Sequence, residues 1–215
     1  MSSDRKPVHL AVYDTLADWE TGHTTAYLAR GGYEIRTVGA SGDPVKSVKS
    51  VGGLRIQPDL ALDELRPEDS ALLILPGADL WAVTSAATAA GSDDLAPFAR
   101  KAREFLDADV PVAAICGATA GLAREGLLDD RAHTSAVSFY LADTGYKGGE
   151  HYVDTDAVTD ADGKLITAGP TEPVAFAREV FGLLGVYEGE VLDAWYRLFH
   201  DSDAEAYAVL EAAGQ

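Results

Sequence analysis

The chain has one cysteine, Cys116, and no asparagine among its 215 residues. A single thiol closes no disulfide within the chain, which excludes a disulfide framework as its source of stability. Without asparagine there is no N-glycosylation acceptor and no Cys-His-Asn triad. Basic residues are scarce: 17 Lys and Arg stand against 35 Asp and Glu, a formal net charge of -18. Such a surface repels phosphate backbones and anionic lipid, so neither nucleic acid nor membrane is expected as a partner. No apolar run approaches the roughly 18 residues that a membrane helix needs. The opening "MSSDRKPVHLAVYDTLADWE" has no long apolar h-region, so no signal peptide is expected and the cytoplasm is the expected compartment. G-x-G-x-x-G, Walker A and C-x-x-C are absent. The five histidines show no metal spacing, and His151 with Asp154 is a weak pairing at best. No cofactor and no metal are expected.

What is present is an ordinary globular composition, 47% hydrophobic and 24% charged, at a length that suits one domain. "VHLAVY" is a short β-rich run and reads as a buried strand. Asp18 to Arg30 reads as a helix, with Asp18 as its N-cap and Gly31-Gly32 as its stop. "YEIRTVG" is the next strand, and "VKSVGGLRI" reads as a hairpin turning at Gly52-Gly53. "ALLILPG" and "VPVAAIC" are apolar enough for a parallel sheet covered on both faces. A charged amphipathic helix, Asp93 to Leu106, lies between them, and "GATAGLAREG" follows as another. "EHYVDTDAVTDADGKLITAG" reads as two or three short strands, with Asp162-Gly163 at a hairpin tip. Thr171 to Leu184, Glu188 to Leu198 and Asp201 to Ala213 read as helices. This alternation predicts one α/β domain over residues 1–215, with 185–215 as a helical C-terminal extension.

In such sheets the ligand crevice lies beyond the carboxyl ends of the strands. "YDTLADWE", "LPGADLW" and "AAICGAT" all end there. Cys116 sits where a strand turns into a helix between small residues, the local form of a nucleophile elbow. The amide of Gly117 and its neighbours can lower the thiol pKa and hold an oxyanion, whereas a buried structural cysteine is the plain alternative. Glu20 is either a helix-dipole partner or an acid sharing a proton with the thiol. His133 in "DDRAHTS" is a further candidate, and Trp19 and Trp81 are either pocket walls or core.

Taken together, "AAIC", "ADWET" and "LPG" resemble the ThiJ/PfpI superfamily, the family of the parkinsonism-associated protein deglycase and of many bacterial stress proteins. The likeness spans roughly Val8 to Leu184, and "GPTEPVAFAREVFGLLG" is similar to the family's closing loop and helix. The resemblance implies a flavodoxin-like three-layer sandwich with a mostly parallel central sheet, and a homodimer. It implies that Cys116 is the elbow nucleophile in strained backbone geometry and that Glu20 is the protonated acid beside it. Gly77 and Ala78 match the turn whose amides join Gly117 at the oxyanion site. His133 matches a histidine near the sulfur in the deglycase-like branch. Gly117 departs from the protease-like branch, which has histidine there, and "GPTEP" lacks the His-x-Glu pair of glutamine amidotransferases. The implied activity is cofactor-free glyoxalase III or deglycase chemistry on small reactive carbonyls. The alternatives are a thiol hydrolase or hydratase of a small amide or isocyanide, and a redox-responsive stress protein without turnover.

Overall fold

A computed structural model describes residues 5–40, 46–81 and 95–214. The apolar runs form a seven-stranded sheet because each has side chains to bury on both faces. β1 (Val8–Ala11), β6 (Leu72–Leu75) and β7 (Val112–Ile115) are buried at every position and lie side by side in the middle. β2 (Ile35–Gly39) and β5 (Leu60–Ala61) extend one side, and β9 (Leu165–Ala168) and β8 (Ala157–Thr159) the other. The order is β5-β2-β1-β6-β7-β9-β8, parallel throughout except for β8 at the edge. The predicted three-layer α/β sandwich is the observed fold, with helices on both faces. β3 (Val48–Lys49) and β4 (Arg55–Ile56) form the expected separate hairpin.

α1 (Asp18–Arg30) packs on α5 (Pro173–Leu184), which in turn covers β8 and β9. α2 (Ala96–Asp107) covers β6 and β7 and touches α3 (Ala118–Arg124). α2 begins later than predicted, and Asp93 lies outside the described residues. A short α4 (Ser138–Ala142) follows α3 without a counterpart in the sequence reading. Past α5, the chain adds α6 (Gly189–His200) and α7 (Ala206–Ala212). α6 is held by an aromatic cluster in which Trp195 meets Phe181, Tyr27 and His23, and Phe199 meets Tyr27 and His23. The extension is thus seated on α1 and α5.

One expectation fails at the start of α1. The N-cap position is Ala17, and no side chain caps it. The Asp18 carboxylate instead accepts the Gly52 amide at 2.6 Å, which ties the hairpin to the helix. A carboxylate next to free helix amides and a distant turn amide takes whichever the tertiary fold presents.

Candidate active site

Three chain segments leave the central strands and converge. β7 delivers Cys116, whose backbone has φ +60, a left-handed conformation that costs a side chain of ordinary type energy of order 1–3 kcal/mol. Its amide is fixed by the Ala168 carbonyl at 3.0 Å, so the turn is anchored to β9. The next residue, Gly117, is the N-cap of α3 and is held to glycine: a Cβ would fall 2.9 Å from the Trp81 Cβ. Gly121, one turn on, is stricter, since its Cβ would fall 2.2 Å from the Trp81 ring. Trp81 fills the groove these two glycines leave. It is 1% exposed, and its Nε1 donates to Tyr13 Oη at 3.0 Å and to the Pro76 carbonyl at 3.1 Å. Trp81 therefore supports the elbow from the core and walls no pocket. Trp19 is the opposite, 54% exposed, with its Nε1 on the Pro170 carbonyl at 3.3 Å. It bridges α1 to the loop after β9 at the rim.

Glu20 comes from the first turn of α1 and is fully buried. The Gly77 amide donates to its Oε2 at 2.5 Å. Oε1 is buried without a fixed partner, and the remaining polar neighbour of the carboxyl is the Cys116 thiol. Gly77 marks how tight the junction is. A Cβ there would lie 2.7 and 2.8 Å from the two Glu20 oxygens and 2.8 Å from the Cys116 Cβ. Gly77 thus spends its amide on Glu20 and offers nothing to an oxyanion, contrary to the sequence reading. Among the described residues, the Ala78 and Gly117 amides have no backbone acceptor, and the Gly117 amide hydrogen-bonds the sulfur.

Burial dominates the electrostatics. It raises the Glu20 carboxyl from 4.5 to about 7, against the opposing hydrogen bonds from Gly77 and Cys116. Burial, followed by the charge of Glu20 and its hydrogen bond, pushes the Cys116 thiol up to about 12. The acidic thiol expected from the elbow alone is therefore reversed, first by burial and then by the neighbouring carboxyl. Thiol and carboxyl act as one coupled pair that loses its first proton near pH 7, from the carboxyl, and keeps the second on sulfur. The Tyr13 and Tyr140 phenols are raised by burial and feel the charges of both groups, so neutral hydroxyls flank the pair. Tyr140, on α4, went unnoticed in the sequence.

His133 is placed differently from the expectation. It is fully buried, its Nδ1 lies 2.8 Å from the Arg131 carbonyl and its Nε2 lies 3.4 Å from Tyr146 Oη. Its ring stands edge-on to Tyr146 and Tyr152. Among the described residues it makes no hydrogen bond to Cys116. The reason is register: His133 forms a bridge with Tyr152, and the chain turns toward the elbow only afterwards. Ser135 is the residue that arrives. Its Oγ is 2.7 Å from Thr119 Oγ1, which donates to the Cys116 carbonyl at 2.6 Å. His151 and Asp154 likewise form no pair: His151 Nε2 lies 3.7 Å from Glu150, and Asp154 lines a separate cavity.

A strained cysteine thus lies between a glycine-held carboxyl and two amides without a backbone acceptor, and the comparison with known proteins gives the family. The DJ-1/PfpI family profile matches residues 6–182. The chain belongs to the DJ-1/PfpI family. It is 36% identical over 203 residues, 90% of each chain, to "Uncharacterized protease YoaZ" of Bacillus subtilis. It is 27% identical over 157 residues, 71% of this chain and 74% of the relative, to "Glutathione-independent glyoxalase DJR-1.2" of Caenorhabditis elegans. Among solved structures, a thiJ/pfpI family protein from Bacillus anthracis superposes with a TM-score of 0.86 at 35% identity, covering 96% of both chains. A DJ-1 superfamily protein from Agrobacterium tumefaciens superposes with a TM-score of 0.76 at 31% identity, covering 92% of this chain and 99% of that one. In this DJ-1/PfpI chain, no described helix is long and apolar enough to cross a membrane.

Proposed function

We propose that the protein is a cofactor-independent cysteine enzyme that converts small α-oxoaldehydes to 2-hydroxy acids. The observation that carries this reading is the pairing of a strained cysteine with a buried carboxyl whose pKa near 7 lets it accept and return protons at neutral pH. Sulfur attacks the aldehyde carbon and forms a C–S bond, while the thiol proton passes to Glu20. The carbonyl oxygen takes the electron pair, is held by the amides of Gly117 and Ala78, and receives that proton from Glu20, which gives the hemithioacetal and restores the carboxylate. The carboxylate then removes the C1 proton, the C2 oxygen takes up the proton that the C1 hydroxyl gives up as the enediol collapses, and Glu20 returns its proton to C2, leaving a thioester. Water cleaves the C–S bond, releases the 2-hydroxy acid and restores the thiol. The net change is addition of one water, and nothing is oxidised or reduced overall.

Amide hydrolysis is less well supported. Among the described residues no histidine is hydrogen-bonded to Cys116, so a leaving amine would depend on Glu20 alone for its proton. Trp81 leaves no space for a side chain at Gly117, where the protease-like branch carries histidine. The test is purified protein with methylglyoxal and no glutathione, assayed for lactate. Turnover is expected, and Cys116→Ala should abolish it. Lactate at the same rate in wild type and Cys116→Ala sinks the proposal.

A further inference from the structure

A second cluster of chemical groups lies on the same side of the molecule and is unused by this mechanism. Asp156, just before β8, Glu172, at the start of α5, and His200, at the end of α6, bring one ligand atom each to within 4.8 Å of one another. His200 Nε2 and Asp156 Oδ2 are 3.7 Å apart. That is too long for a hydrogen bond. It is close to the roughly 3.4 Å that separates two ligands bonded at about 2.1 Å to one tetrahedral ion.

Each group is also held from behind. His200 Nδ1 lies 2.6 Å from Asp201 Oδ1. A carboxylate only accepts, so Nδ1 carries the proton that faces Asp201, and Nε2 is the ring nitrogen on the side of Asp156. This carboxylate–imidazole backing is what metal-binding histidines use to fix tautomer and orientation. The Tyr196 ring stacks on His200 at 4.5 Å and its hydroxyl reaches Asp156 Oδ2 at 3.5 Å, while Thr171 Oγ1 donates to Glu172 Oε1 at 2.8 Å. Glu172 Oε2 is left for a ligand. Asp156 and Glu172 also line a cavity of about 380 Å³, which has room for the waters that would complete the coordination.

We propose that Asp156, Glu172 and His200 bind one divalent transition-metal ion, pinning the C-terminal extension to the loop between β9 and α5. One imidazole with two carboxylates suits a borderline ion such as Zn²⁺ and does not suit Mg²⁺ or Ca²⁺, which prefer all-oxygen shells. The ion would clamp α6 onto the loop whose Pro170 carbonyl holds Trp19 at the rim of the cysteine crevice.

The experiment is equilibrium dialysis of the full chain against Zn²⁺ in the Cys116→Ala background, which removes the thiol as a competing ligand. One Zn²⁺ per chain is expected, undisturbed by millimolar Mg²⁺ or Ca²⁺, with a rise in thermal midpoint. His200→Ala and Glu172→Gln should each weaken binding more than about tenfold, and Asp201→Asn, which touches no metal, by about tenfold. Midpoints measured without metal should match the parent, showing that each variant is folded. Should Zn²⁺ not bind, bind equally well without His200, or be displaced by Ca²⁺, the trio is an ion pair that docks α6 and the proposal fails.

Discussion

Two buried titratable groups sit at opposite ends of the central sheet and have opposite fates. His9 is in β1 near its amino end, 1% exposed, with Nδ1 2.6 Å from Ser70 Oγ. The hydroxyl passes the interaction on to the Leu72 carbonyl, and His9 contributes no buried orphan atom. Glu20 lies beyond the carboxyl end, equally buried, with one oxygen fixed on Gly77 and the other facing only the Cys116 thiol. Burial drives both toward their neutral forms, His9 down to about 4 and Glu20 up to about 7. The difference is in unused valence. A buried polar group that has spent its hydrogen bonds is part of the scaffold, and one that has not is poised for chemistry.

The comparison breaks most decisively at Glu20. Glu20→Gln keeps the size and one acceptor for Gly77 but cannot shuttle a proton. Turnover of methylglyoxal should fall by about 10²–10⁴, the range of general acid–base catalysis. Because the neighbouring charge that raises the thiol is gone, iodoacetamide should alkylate Cys116 faster at pH 8 than in wild type. Full turnover with unchanged alkylation would reduce Glu20 to a packing residue.

A smaller effect, on stability, sets the two ends against each other. For Glu20, between 4.5 and about 7 the folded chain keeps a proton that the unfolded chain releases. Its contribution therefore falls as pH rises through that window, by up to about 3 kcal/mol. For His9, between about 4 and 6.5 the unfolded chain takes a proton that the folded chain refuses. Its contribution is lost as pH falls through that window, by a similar amount, about 3 kcal/mol. The two slopes oppose each other between pH 4.5 and 6.5. Urea unfolding against pH should show this: Glu20→Gln should be more stabilised by raising the pH from 5 to 7 than wild type is. Parallel curves for the two proteins would remove the proton assigned to Glu20.

How much of this was legible in the sequence differs by the kind of signal. The strands around the elbow read correctly because "ALLIL" and "VPVAAI" are apolar at every position, as only a central parallel strand needs to be. That Cys116 and Glu20 lie together was legible because each sits at a strand or helix end whose boundary was itself clear. Asp18 misled, since its partner is an amide in the hairpin that sequence distance hides. Gly77 read as an oxyanion donor because a turn amide looks free until the carboxyl that claims it is placed. β5 and α4 are too short to carry a period. The Asp156–Glu172–His200 corner was invisible because its parts come from three elements with no shared spacing.

His133 is the smallest and sharpest case. A polar residue in "AHTS" near the expected strand end invites a role at the sulfur, and a slip of two residues in register decides whether it has one. The bridge to Tyr152 fixes that register, with the His133 and Val153 amides donating to the carbonyls of His151 and His133. The imidazole is then enclosed by Tyr146 and Tyr152, and Ser135 takes the place beside Thr119. The ring's work is to satisfy the Arg131 carbonyl and fill the space between two phenols. His133→Gln should therefore lower stability by about 1–2 kcal/mol, the cost of disturbing a buried hydrogen bond. Turnover should stay within about threefold of wild type, far from the 10²–10⁴ expected of a proton donor. Burial also lowers the His133 pKa, which favours the neutral ring, and with no part in proton transfer the pH profile of kcat/KM should be the same in both proteins. A hundredfold loss of turnover, or a limb of that profile that vanishes with the histidine, would return His133 to the chemistry at Cys116.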